Sequence, residues 1–136
     1  MKIVVIGGIG HIGYALNVIK KNPKMLKLCG FASAVQGDIP DGTVKKLSSE
    51  FNVKVFEDWR DMLDAVKPDV AVIATRFDMN GVISLECLNR CISCFTEKKR
   101  SAVFNIFLEC FYTFFRKNIL LVLARYGVDD KYFIFV

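Results

Sequence analysis

Lys2-Ile3-Val4-Val5-Ile6-Gly7-Gly8-Ile9-Gly10-His11-Ile12-Gly13 opens the chain as a continuous apolar run that stops at two glycines, with two more following at fixed spacing. An apolar run of this length, unbroken by polar residues, predicts a strand buried on both faces. From His11 to Ile19 the apolar positions Ile12, Ala15, Leu16 and Ile19 recur at helical spacing and stop before Asn22-Pro23. The stretch therefore reads as strand, glycine turn and helix. Gly8-Ile9-Gly10-His11-Ile12-Gly13 fits G-x-G-x-x-G, and its place between strand and helix supplies the context that gives this pattern a mechanism. Gly8 is expected to allow the tight turn, Gly10 to leave room for a pyrophosphate, and Gly13 to let the helix lie close to the strand. Backbone N–H groups near Gly10–Ile12 would receive the phosphate charge at the positive end of the helix. Three glycines in this spacing exceed what turning alone requires.

Downstream the alternation continues. A second strand is expected over Leu26–Ala32, then a loop through Gly37, Asp38, Pro40 and Gly42. Next come a helix over Thr43–Phe51, a strand at Val53–Phe56, and a helix at Trp59–Val66 capped by Asp58. Pro68-Asp69 introduces the all-apolar strand Val70–Ala74, followed by a helix at about Asn80–Asn89 and a strand at Ile92–Thr96. Buried strands alternating with amphipathic helices, joined by connections too long for hairpins, imply right-handed crossovers and a parallel sheet covered on both faces. The fold class is α/β, doubly wound and Rossmann-like.

After Lys98 the character changes. Phe104, Phe107, Leu108, Phe111, Phe114 and Phe115 keep helical spacing, while Val103, Ile106, Cys110 and Tyr112 make the opposite face apolar too. Asn118–Tyr126 reads as a second short apolar helix ended by Gly127, and Tyr132–Val136 as a final strand. The chain thus divides into a Rossmann-like unit over residues 1–98 and an apolar, Phe-rich extension over 99–136. Glu109 and Arg116-Lys117 cut that extension into pieces shorter than the ~20 apolar residues of a membrane span, so packing against the sheet or a partner is expected instead.

Composition agrees. The 136 residues suit one core with an appendage, and a 53% hydrophobic content with mean hydropathy +0.34 excludes intrinsic disorder. Twelve basic residues face ten acidic ones over Met1–Cys94, and seven face four over Phe95–Val136. A surplus this diffuse excludes a nucleic-acid stripe, and the Lys98-Lys99-Arg100 triplet reads as a solvated turn. Five cysteines with no secretory leader ahead of them imply free thiols in a reducing cytoplasm.

Other chemistry-bearing residues divide between structure and site. The fingerprint calls for an acid about 20 residues on, at the end of the second strand, to hold the adenosine ribose. Ser33 stands there, no Arg follows, and Asp38 falls in the loop, so either NAD or NADP is admissible. His11, the only histidine, has no visible partner for base chemistry and faces a groove or solvent. Cys87, Cys91 and Cys94 straddle a helix-to-strand junction without a second C-x-x-C, so they read as structural, and no metal site is expected. Trp59 reads as core packing. Thr75 ends the strand Val70–Ala74, and Glu97-Lys98 ends the strand at Ile92–Thr96. Both lie on the carboxyl edge, where open α/β sheets bind ligands.

The arrangement over Met1 to Lys98 resembles the amino-terminal NAD(P)-binding domain of the glucose-fructose oxidoreductase / inositol dehydrogenase (Gfo/Idh/MocA) family. The resemblance rests on Lys2–Gly10 with Gly13, on Phe56-Glu57-Asp58-Trp59 with Met62-Leu63, on Lys67–Thr75, and on Phe95-Thr96-Glu97-Lys98. It implies that Gly8, Ile9, Gly10, His11, Ile12 and Gly13 line the pyrophosphate and Ser33 the adenosine ribose. Thr75 would lie by the nicotinamide ribose and Glu97 beside the cofactor. Lys98, matching the Lys of the family's Glu-Lys-Pro, would be the catalytic residue near the reacting carbinol of a sugar or cyclitol. Arg76-Phe77 stands where the family usually has Pro-Asn, Asn80 where it often has His, and Lys99 where the Pro follows Glu-Lys. Beyond Lys99 nothing resembles the family's substrate domain, which supplies the acid/base residues and much of the oligomer interface.

Two classes of function follow. In the first, the chain is the nicotinamide dinucleotide-binding half of a dehydrogenase, acting on a sugar-like substrate only with a complementing domain and without nucleic-acid or membrane partners. In the second it is a non-catalytic interaction module whose apolar tail docks on a partner or drives homo-oligomerisation. An isomerase using bound NAD would need the same glycines. The abrupt change at Lys99 leads to the expectation of a shifted reading frame or shortened gene, which the nucleotide sequence around codon 98 would test.

Overall fold

The computed structural model describes residues 1–10, 12–39, 42–98, 122–126 and 131–135. The first strand, β1 (Lys2–Ile6), is buried at every position after Lys2, and β4 (Val70–Ile73) is buried throughout. These all-apolar strands sit side by side because only the centre of a sheet covered on both faces can bury them completely. Around them run α1 (Ile12–Lys21), β2 (Lys27–Ala32), α2 (Thr43–Phe51), β3 (Val55–Phe56), α3 (Trp59–Val66), α4 (Phe77–Asn89) and β5 (Ser93–Lys98), then β6 (Val122–Tyr126) and β7 (Lys131–Phe135). The sheet order is β3-β2-β1-β4-β5-β7-β6, and the first five strands are parallel. Strand order reverses between β1 and β4, the switch point at which such sheets bind ligands.

The period-2 alternation of each strand feeds two cores. Ile3, Val5, Phe31, Val70 and Val72 pack with Ile19 of α1 and Leu47 of α2. Val4, Ile6, Ala32, Ala71 and Ile73 pack on the opposite face with Trp59, Met62 and Leu63 of α3 and with Ile83 and Cys87 of α4. Trp59 is 2% exposed, so it is a core residue as the sequence indicates. Cys87 and Cys94 are buried in the same core, and the structural reading holds for both. Asp58 caps α3 through Oδ1, which accepts from the Arg60 and Asp61 N–H groups at 2.6 and 3.2 Å. The β1–β2 register slips by one residue at Cys29, a bulge that sets Gly30 opposite Val4 beneath Met62.

The sequence reading differs from the structure at several boundaries, among them β3, which is Val55–Phe56 where Val53–Phe56 is expected. Helix α4 starts at Phe77, three residues before the expected Asn80, because Arg76 precedes it in extended backbone without a side-chain cap to signal the start. Strand β5 extends past Thr96 to Lys98 because its outer edge is paired: β7 lies antiparallel to it, with Glu97 opposite Phe133 and Lys98 opposite Tyr132. Val122–Tyr126, expected as the end of a helix, is the strand β6, antiparallel to β7. A short run such as Val-Leu-Ala-Arg-Tyr suits helix or strand, and a neighbouring edge that needs hydrogen-bond partners selects the strand. The expected final strand is present as β7. The expected helix over Val103–Phe115 lies outside the described residues.

Candidate functional site

Three backbone hydrogen bonds anchor the glycine turn that follows β1. The N–H of Gly7 donates to Ala32 O at 2.8 Å, that of Gly8 to Asp38 O at 3.0 Å, and that of Ile9 to Ala74 O at 3.0 Å. The turn is thereby tied to the ends of β2 and β4 and to the loop after β2. The tightest position is Gly7, not Gly8. Gly7 has φ +83°, and a Cβ there would lie 2.4 Å from Ala74 O. Gly8 is buried, but a Cβ on it would make ordinary 3.4 Å contact with Ile39. Gly10 is exposed with φ +74°, at the end of the turn just before α1. Gly13 does not bring helix and strand together as expected: it is exposed, and a Cβ there would meet nothing within 4 Å among the described residues.

No acidic residue stands in the first turn of α1, while Lys20 and Lys21 occupy its last. No acid within that first turn therefore competes for the positive end of the helix dipole, as suits an anion-binding terminus. Between this turn and the amino end of α4 lies a cavity of about 600 Å³, lined by Ile9, Gly10, Thr75, Arg76, Phe77 and Asn80 among others. Its volume is in the range of small-molecule and cofactor sites. At its mouth the Arg76 guanidinium makes a two-point contact with Asp78, Nε to Oδ1 at 3.1 Å and Nη2 to Oδ2 at 2.8 Å.

A carboxylate that sequence reasoning left in the loop proves to be part of this edge. Asp38 is 2% exposed. Its Oδ1 accepts from Ser33 Oγ at 2.6 Å. Its Oδ2 accepts from Thr75 Oγ1 at 2.7 Å and from the N–H groups of Ala34 and Val35 at 3.0 and 3.3 Å. One side chain therefore joins the end of β2 to the end of β4, and it connects the two hydroxyls singled out in the sequence. The only local signal was a Gly-Asp pair in a turn-rich segment, which by itself marks a turn.

The expected site residues are distributed unevenly. Ile9, Gly10 and Thr75 meet in the cavity, Gly8 lies behind the turn, and Ser33 connects to Thr75 through Asp38. Ile12 packs at the edge of the α1-side core. Glu97 and Lys98 continue β5 past Thr96, whose partner in β4 is Ile73, and so stand on the same carboxyl edge. His11 lies outside the described residues. Among the described residues, no helix is long and apolar enough to cross a membrane, and no cluster of His, Cys, Asp and Glu could hold a metal ion.

Residues 1–98 match the family model GFO_IDH_MocA, described as an oxidoreductase family, NAD-binding Rossmann fold. Among solved structures, a protein from Thermotoga maritima named as a putative oxidoreductase is 33% identical with TM-score 0.75, the match covering 93% of this chain and 38% of that one. The WlbA dehydrogenase from Chromobacterium violaceum, in complex with NADH and UDP-GlcNAcA, is 16% identical with TM-score 0.68 and covers 85% of this chain and 32% of its own. Biliverdin reductase from Synechocystis, in complex with biliverdin and NADP+, is 15% identical with TM-score 0.67 and covers 88% and 36%. The last two show likeness of fold alone. This chain therefore spans about a third of the relatives' length. No curated protein sequence matches it.

Proposed function

The chain belongs to the Gfo/Idh/MocA oxidoreductase family through an NAD-binding Rossmann domain, and from that premise we propose that it is the cofactor half of a dehydrogenase acting on a sugar-like alcohol. Residues 1–98 form the dinucleotide-binding unit in this reading, and 99–136 an apolar extension whose β6 and β7 continue the sheet. The observation that carries the proposal is the cavity of about 600 Å³ at the β1/β4 switch point, walled by the glycine turn and the start of α4. The residues present fit a dinucleotide: Gly10 has no Cβ to fill the cradle, and the amino end of α1 carries no competing acid.

Gly8, Ile9, Gly10, His11, Ile12 and Gly13 would hold the pyrophosphate, Ser33 the adenosine ribose, and Thr75 and Glu97 the nicotinamide side. A bound nicotinamide supplies a hydride acceptor. Lys98, on the carboxyl edge of β5, is assigned to the substrate oxygen, which its ammonium would orient and polarise. A water-excluding wall and a general base would have to come from a complementing domain. The apolar extension suits self-association. The thiols of Cys29, Cys87 and Cys91 suit a reducing cytoplasm.

The test is a titration of the 136-residue chain with NAD, NADH, NADP and NADPH. Calorimetry reports binding directly, and energy transfer from Trp59 reports the reduced forms. Saturable binding of at least one nucleotide, lost in Gly10→Val, is expected; no saturable response to any of the four refutes the reading.

A further inference from the structure

We infer that Asp38 makes this site selective for the dinucleotide with a free ribose 2′-hydroxyl, NAD, against its 2′-phosphorylated form, by placing a buried carboxylate behind Ser33 at the end of β2. The inference rests on the dinucleotide-binding reading above and adds the choice of cofactor, which the sequence leaves open. In doubly wound sheets the residue ending the second strand meets the adenosine ribose: an acid there favours the hydroxyl, a cation the phosphate. This chain has Ser33 in that position, one residue past β2. The charge arrives by another route. The chain turns back over Ser33–Asp38, closed by the Asp38 N–H on Val35 O at 3.3 Å, and the Asp38 carbonyl accepts from Gly8 at 3.0 Å. The side chain then lies 2.6 Å from Ser33 Oγ.

The chemistry of the contacts sets the sign. Both carboxylate oxygens act only as acceptors, and among the described residues the donors on them are two hydroxyls and two peptide N–H groups, none of them a cation. Among these residues the negative charge is satisfied by hydrogen bonds rather than by a counter-ion. The Ser33 hydroxyl has one proton, divided between Asp38 Oδ1 at 2.6 Å and Val35 O at 2.7 Å, so only its lone pairs are left to offer a further partner. A ribose hydroxyl can donate to those lone pairs. A phosphate dianion has no proton to give them and would meet the carboxylate's charge through a medium of low dielectric, where repulsion is strong.

The experiment compares NADH and NADPH affinities, by calorimetry and Trp59 energy transfer, for the full chain and two variants. The native chain is expected to bind NADH tighter by about tenfold or more, a difference of roughly 1.4 kcal/mol. Asp38→Asn keeps the shape and removes the charge, and should narrow the ratio by about fivefold by strengthening NADPH while NADH changes little. If Asp38→Asn loosens the loop and fails to fold, Asp38→Ser decides the matter. It removes the charge while its hydroxyl can still accept from the Ala34 and Val35 N–H groups, and should narrow the ratio in the same direction. A role in loop structure alone would weaken both nucleotides together and leave their ratio fixed. Equal affinities in the native chain, a preference for NADPH, or a ratio unmoved in whichever variants fold overturns the inference. Binding of neither nucleotide refutes instead the dinucleotide reading beneath it.

Discussion

Replacing Gly7 with alanine should be far more damaging than replacing either of the two glycines that frame the motif. At φ +83° a non-glycine residue already costs about 1–2 kcal/mol. The added carbon would lie 2.4 Å from Ala74 O, 2.8 Å from Ala74 C and 2.9 Å from Thr75 Cβ, two of these being backbone atoms of the central sheet that no rotamer change can move. To reach even 3.0 Å from the oxygen, the turn must retreat by about 0.6 Å. That movement strains the bonds from Gly7 to Ala32 O and from Ile9 to Ala74 O, each worth about 1 kcal/mol. Together these effects give roughly 3–4 kcal/mol, a large share of the ~5–15 kcal/mol available to a domain. Gly13→Ala is the internal control. It adds a methyl group to an exposed helical position with open space and should stabilise by about 0.4–1 kcal/mol. Urea denaturation followed by far-ultraviolet circular dichroism, at constant m-value, measures both. A Gly7→Ala midpoint within 0.5 kcal/mol of native, or a Gly13→Ala loss as large as that of Gly7→Ala, would refute the reasoning.

Other outcomes follow from single contacts. Asp58→Ala removes the cap from two N–H groups of α3 and should cost about 1 kcal/mol in the same assay, whereas Asp58→Ser should restore most of it. Gly30→Ala would bring a methyl group 2.8 Å from Met62 Sδ; because a thioether can yield, the cost should be about 1–2 kcal/mol, and Met62→Ala in the same chain should relieve the clash. The hydrogen bond from Arg90, the largest influence on Asp64, holds that carboxyl below its ordinary range. The contribution of the pair is therefore complete above the ordinary aspartate pKa of about 4 and disappears as pH falls through the lowered folded value. Asp64→Asn should lower the melting temperature at neutral pH, and the melting curves of native and variant should converge once the pH falls below the lowered value of Asp64; a gap that persists in acid would contradict this assignment.

Much of the architecture was legible because the signals were local. Val70-Ala71-Val72-Ile73 can be buried on both faces only at the centre of a sheet, and Asp58-Trp59 marks a capped helix start whatever follows. The elements read less well were those settled by neighbours distant in sequence. The strand character of Val122–Tyr126 depends on β7, and β7 depends on the open edge of β5. The start of α4 at Phe77 had no cap to announce it. The glycines show the same division. G-x-G-x-x-G marks where the chain turns, but the glycine with no room for a side chain is Gly7, outside the pattern, because the obstructing atom is the Ala74 carbonyl 67 residues away in the chain.

Asp38 shows why the site was harder to read than the fold. Composition and spacing give it no distinction from another acid in a loop, such as Asp69. Its importance comes from a closure in which Ser33, Ala34 and Val35 donate to it locally and Thr75 donates from across the switch point. A fingerprint that asks for an acid at one position would score its absence as a lost function. The geometry shows instead that a carboxylate can reach the same strand end from five residues on, provided the intervening loop folds back and supplies enough donors to compensate for its burial. What must be present at the end of β2 is then a charge at a place in space, and the residue number that carries it is free to vary with the length and turn chemistry of the loop.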